Sequence, residues 1–495
     1  MSKLNAGAGA RVVDGALEGG AVRRGGRSLL LLSTALGCSL LVIAAPGASR
    51  AASECGTGST LTCAAGDYPT GITYTGVTDL NLTLSPGVTV ENGVLVQGSG
   101  QLTLDASTDT DVSSAGGVGV RVDGGVGDVF VSTDSTASSA DGGAAIFVTT
   151  TSGAATVISN TATTTSLYDA GGHTNDGVAV FTQTGAISIQ SGTAQVVGNQ
   201  ASGVVGYAHD ADITIESHNA SSSGANGNSV YGYAEAGGAV SIVSGTATSS
   251  GAGNGAVVGI GHDGVTITSG TATSHGDADL VYADGIYGYS AAGDVSITSD
   301  VVETDGFKAV GIRVPAGQAI TIDSGSITTH GDRSQGILVK AGAGDVSITS
   351  DTILTEGAGS HGIYVANAGG ADIAGIGSWR AATGGTGALS IDSGSIDSGG
   401  WGMMIDHQGA IDITSDSITS AGPGIYLYGG DAVTIASGSI ETTDGTGVVV
   451  WGDDGAVNIT TGHVLIGSGG DIGVFAKTTS GDITIDAGDT TTTAT

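Results

Sequence analysis

The sequence predicts an all-β chain: a right-handed parallel β-helix, a three-sheet solenoid of about 16 coils of about 25 residues each. Three observations predict it. The composition favours strands and turns. Gly accounts for 91 of 495 residues and Pro for only 5, while Ser, Thr, Ala, Val and Ile dominate the rest. A marker of the form apolar-x-apolar, followed by Ser or Thr and then Gly or Asp, recurs from Leu82/Leu84 to Ile483/Ile485. Its spacing clusters near 25 residues. Each repeat also holds three short segments with apolar residues at alternate positions, such as "VGIRVPA" (310–316), "AITIDSG" (319–325) and "SITTHGD" (326–332). Alternation gives each segment one inward face.

Three strands in one repeat cannot bury their apolar faces as an isolated sheet, whereas stacked coils can. At a strand spacing of about 4.8 Å, about 16 coils make a rod of roughly 75 Å. Collagen is excluded because Gly has no three-residue period and Pro is scarce. Positive mean hydropathy and abundant β-branched residues argue against simple disorder. An antiparallel sandwich array needs a period near 90–100 residues, and the period here is far shorter.

Residues 1–51 read as a signal peptide with a long basic n-region. An apolar run at 28–46 follows "RRGGR", and small residues precede a cleavage site placed between Ala51 and Ala52. A retained anchor is the alternative for an apolar run of about 18 residues, and "ALGC" at 35–38 offers a weak lipoprotein pattern. Residues 52–80 form an N-terminal cap. Cys55 and Cys63 lie a short loop apart just after the export signal, which predicts a local disulfide. Residues 81–495 are the repeats. One interval of 43 residues carries "ADIAGIGSWRAATGGTG" at 371–387, predicted as an inserted loop. Its Trp379 and Arg380 are candidate contact residues. The third segment also changes along the chain. Early copies place Ala247 and Ala272 inward, and later ones place Ile327, Ile396, Ile418 and Ile440 there, so the first half is expected to have a narrower or differently shaped core.

The formal charge is −34, and beyond residue 51 the chain has 7 cations against 45 acids. A field of that sign argues against nucleic acid or anionic lipid as partner. It suits a soluble exported surface, with divalent-cation binding as the sharper alternative.

No motif commits the chain to chemistry. "DSGS" recurs at 323–326 and 392–395, where the repeat needs a corner, whereas a nucleophile is single and supported by a base. His361 and Asp453–Asp454 resemble fragments of pectin-degrading enzymes, but they lie about 90 residues apart, about four coils. "GGVGDVFV" at 124–131 departs from the calcium nonapeptide, because its Asp falls one place early and the unit does not repeat. Nucleotide loops, paired helical His ligands and RGD are absent from the sequence, so no catalytic, cofactor or metal residues are assigned. Outward Thr246, Thr248, Thr271 and Thr273 suit an exposed strand. Tyr231, Tyr233, Tyr287, Tyr289, Tyr364, Tyr426 and Tyr428 sit in first segments, where some are expected to be exposed to sugars or proteins.

The long signal, the "C…TLTC" loop and the degenerate Gly/Ser/Thr coils resemble passenger domains of Gram-negative autotransporters, the alphaproteobacterial types in particular. The resemblance implies a non-enzymatic adhesin or structural spacer at the outer membrane, cell surface or outside the cell. Its partners would be a host or bacterial surface protein or glycan, or further copies of itself. It also implies an outer-membrane β-barrel. The sequence departs here, because it ends in "DITIDAGDTTTTAT" with no barrel-like strands. The barrel is then expected beyond this chain or on a separate polypeptide, or the protein is released by another route. The secretion motif "NPNL" of the neighbouring two-partner exoproteins is absent. A polysaccharide-degrading hydrolase or lyase is the alternative function.

Overall fold

Alternating apolar residues form strands here because every second side chain finds the same interior. The computed structural model describes residues 54–140, 142–165, 175–276, 283–367, 385–467 and 472–493, and among these no residue is helical. All pairings between the named strands are parallel and join one coil to the next, as the solenoid reading expects. Among the described residues, short strands stack into a 16-stranded sheet, and longer ones into a 19-stranded sheet.

The three segments of each repeat share these two ladders. The first segment builds the short-strand sheet, as at Ile312–Ala316. The second and third run together in one long strand, as at Ile320–Thr329. Ile320, Ile322 and Ser324 face inward, then Gly325 and Ser326 both face out, then Ile327 and Thr329 turn inward again. The ladder skips the same position. Ser299 pairs with Ser324 and Val301 with Ser326, leaving Asp300 and Gly325 at a corner. A Cβ on Gly325 would lie 2.5 Å from the Asp300 carbonyl oxygen, so the close approach there requires glycine. The corner gives the long sheet two faces. The rod therefore has three walls around one continuous core.

Buried hydroxyls pin the turn after the long strand. Thr329 donates to the Ser334 carbonyl (2.8 Å) and Thr355 to the Ser360 carbonyl (2.9 Å). Acidic residues hold the next coil at another corner. Asp128, Asp212, Asp294 and Asp345 each accept the backbone N–H of an Ala one coil on, at 2.8–3.0 Å. Part of the large negative charge thus satisfies backbone donors that would otherwise lack a partner.

The core narrows over four coils rather than through the whole first half, since Val122, Val148 and Val180 precede Gly206 in the same column. Gly206, Gly232, Gly259 and Gly288 occupy one inward column of the short-strand sheet. Ala220, Ala247 and Ala272 occupy the third wall in the same stretch. A Cβ on Gly232 would lie 2.7 Å from Val240 Cγ1 across the core, so the walls are already in contact. Beyond this waist Val314 and Val339 replace glycine, and Ile327 and Ile353 replace alanine.

The segment carrying the two cysteines is itself a rung. Thr60–Cys63 pairs with Asn81–Leu84, and Ile72–Thr78 pairs with Val94–Ser99. Cys55 and Cys63 are bonded, with Cα atoms 4.8 Å apart. The Tyr74 hydroxyl accepts the Cys55 N–H beneath them. The 43-residue interval leaves the stacking unchanged, because Val346 pairs with Leu389 and Ile348 with Ile391.

Candidate functional site

The outer face of the short-strand sheet carries the aromatics that the sequence placed in first segments. Register sets them in two neighbouring outward columns. One column runs through Tyr231, Val258, Tyr287 and Arg313, the other through Phe181, Tyr207, Tyr233 and Ile260. Coils about 4.8 Å apart bring equivalent rings into contact. Phe181 and Tyr207 lie 6.1 Å apart between centroids and Tyr207 and Tyr233 5.2 Å, while Phe147, which pairs with Ala179 in the other column, meets Phe181 diagonally at 5.4 Å. Arg121 caps the row over Phe147 at 5.4 Å. Tyr207 donates to Glu235, which also pairs with His209 at 2.9 Å. Burial and that carboxylate raise the Tyr207 phenol and keep it protonated.

A second aromatic group lies further along the rod. Trp401 contacts His361 at 5.5 Å and Tyr426 at 5.2 Å. A small outer apolar cluster forms beside it from Val310, Leu338, Tyr364, Ala366 and Met404. Trp451 then packs against Phe475 at 4.9 Å, the rings tilted by 50°, with the Lys477 ammonium over the indole. Tyr364 is buried, whereas Tyr207, Tyr231, Tyr233, Tyr287, Tyr426 and Trp451 are half-buried, each presenting part of a ring to solvent.

Asp406, Tyr428, Trp451 and Lys477 share one column on four successive strands. Asn367 donates to Asp406 at 3.1 Å. Burial, and then the nearby Asp453 carboxylate, push the Asp406 carboxyl up to about 6. His361 is not brought to this pair. It precedes strand Ile363–Asn367, while Asp453 follows strand Val448–Trp451 three rungs on. His361 instead accepts the Trp401 N–H at 3.1 Å, and burial lowers its pKa to about 4. It is a packed structural histidine.

The two "DSGS" stretches occupy equivalent corners, with Ser324 and Ser393 buried inside the wall. Asp128 of the calcium-like stretch serves as a backbone acceptor. The threonine pairs at 246/248 and 271/273 face outward. Ala51, Ala52, Trp379, Arg380 and the 371–384 part of the inserted loop lie outside the described residues.

The sequence reading passed over His275, Asp305, His330 and Glu356. Each follows the third segment of its repeat and precedes a glycine ("SHG", "TDG", "THG", "TEG"), so aligning the repeats places them in one column. No protein-family model, no curated protein and no solved structure matches the chain.

Proposed function

We propose that this protein is an exported, non-enzymatic β-helical rod, similar to an autotransporter passenger. In this reading it acts at a bacterial cell surface as an adhesin, or as a spacer that displays its flank. The observation that carries the proposal is the pair of half-buried aromatic columns on one wall of the rod. Aromatic rings supply large, rigid contact area and are enriched where proteins meet ligands. A regular row of rings suits an extended partner, such as a glycan chain or a surface protein, better than a small molecule. The local disulfide fits an oxidising, exported setting.

A binding screen of the purified chain against glycans, matrix proteins and bacterial cells tests the proposal. The expected result is saturable binding that Tyr207→Ala with Tyr233→Ala weakens at least about tenfold, since two anchor truncations each cost upwards of about 1 kcal/mol. Binding to no surface, or binding unchanged by that pair, overturns the aromatic face as the contact site.

The raised Asp406 carboxyl near Asp453 favours a second reading, a polysaccharide hydrolase with Asp406 as its general acid. Release of reducing ends from acidic and neutral polysaccharides, abolished by Asp406→Asn, would establish it in place of the adhesin.

A further inference from the structure

Four consecutive coils place His275, Asp305, His330 and Glu356 in one outward column at the corner that ends the long strands. Glu303 stands beside them, two residues before Asp305 on the same strand. His275 Nδ1 lies 2.5 Å from Asp305 Oδ2, and His330 Nδ1 lies 2.8 Å from Glu356 Oε2. The other nitrogen of His330, Nε2, faces Glu303 Oε1 at 3.5 Å and Asp305 Oδ1 at 3.9 Å. One ligand atom from each of Glu303, Asp305 and His330 lies within 4.8 Å of the others.

We propose that Glu303, Asp305 and His330 Nε2 bind a divalent transition-metal ion of the zinc type. Three features carry this. Donors bound at about 2.0–2.1 Å in a tetrahedral site stand roughly 3.3 Å apart. The Nε2–carboxylate separations are close to that value and long for direct hydrogen bonds. The supporting shell is already in place. Glu356 takes the Nδ1–H of His330, which leaves Nε2 as a lone pair aimed at the carboxylates, and His275 orients Asp305. Finally, three carboxylates gathered around two imidazoles make a strongly negative pocket, which a dication neutralises. An imidazole donor selects zinc-like ions over calcium, which takes oxygen ligands.

The bound ion would tie together neighbouring coils at the place where the narrow core becomes the wide one. Ala272 lies below the cluster, and Val302 and Ile327 lie within its span. The site therefore acts as a clasp across that junction.

The test is a calorimetric titration of the full chain with zinc ion at neutral pH, paired with thermal melts. The expected result includes one saturable zinc equivalent that raises Tm and resists excess calcium. His330→Ala and Asp305→Asn remove it. Glu356→Gln, which touches only the far nitrogen, weakens it about 10- to 100-fold. His218→Ala, outside the cluster, leaves it unchanged. Circular dichroism confirms that each variant is folded, and the variants alter exposed or half-buried side chains outside the core. Zinc binding that survives His330→Ala, calcium binding of equal strength at the same residues, or no saturable binding overturns the proposal.

Discussion

The waist and the coils beyond it close the same three walls with different side chains. In the waist, Gly232 faces Val240, and Ala247 lines the third wall of the same coil. Further on, the equivalent positions are Val339 and Ile353. The coil between them, with Gly288 and Val302, is intermediate. Beyond the waist the two columns enlarge over neighbouring coils, because they share one interior and a larger residue on one wall requires the others to stand further back; before it, Val148 and Val180 share coils with Ala162 and Ala194. Through the change the long-strand ladder keeps its register, while the short-strand ladder shifts by one residue, from Tyr287 opposite Arg313 to Tyr289 opposite Ala316.

The strongest break of this comparison falls near the junction. Asp284, in the last glycine-containing part of the waist, is buried and paired with Arg313 Nε at 2.8 Å. Arg313→Leu leaves that carboxylate without its cation, and we expect a loss of about 3–5 kcal/mol in denaturant unfolding. Asp176 shows the opposite case in the first half. It is buried and receives the Ser202 N–H at 2.6 Å, and burial pushes its carboxyl up to about 7. The folded chain then holds more protons than the unfolded chain between pH 4 and 7. Stability is therefore expected to fall as pH rises through that window, by roughly 4 kcal/mol for this group. Asp176→Asn should flatten the slope and raise Tm at pH 8, and an unchanged slope would show that the carboxyl is ionised in the fold.

The core contrast is tested directly by a reciprocal pair. Ile353→Ala opens a cavity in the wide half and should cost about 2–5 kcal/mol. Ala247→Ile overfills the waist and should cost about 1–3 kcal/mol, less if the walls can part. Equal tolerance of isoleucine at 247 and 353 would remove the distinction between the waist and the coils beyond it. The smallest effect is expected at Ser217, whose buried hydroxyl has no protein partner. Ser217→Ala should change stability by less than about 0.5 kcal/mol, because no hydrogen bond is lost.

Most of the fold was legible because a repeat states its own geometry many times. Alternation in "AITIDSG" and "SITTHGD" gave the inward residues, and the change from Ala247 to Ile327 gave the narrowing. The merging of second and third segments was not legible. A corner glycine such as Gly325 looks the same whether it ends a strand or only bends one, and the skipped pairing belongs to the neighbouring coil. The aromatic columns were only half legible. Position in a first segment was clear, but ring contact depends on register between coils. The histidine–carboxylate column lay in plain sight in four aligned tripeptides. It escaped notice because its members are 25–30 residues apart and no spacing rule for metal ligands spans such distances.

The undisturbed pairing across the 43-residue interval has a practical consequence. Chain added at that corner, between Ile363–Asn367 and Leu389–Ser398, does not alter the rungs on either side. The shaft therefore offers a socket into which a foreign peptide or small module can be spliced as cargo, with the pitch of the scaffold serving as a ruler for its height above the base.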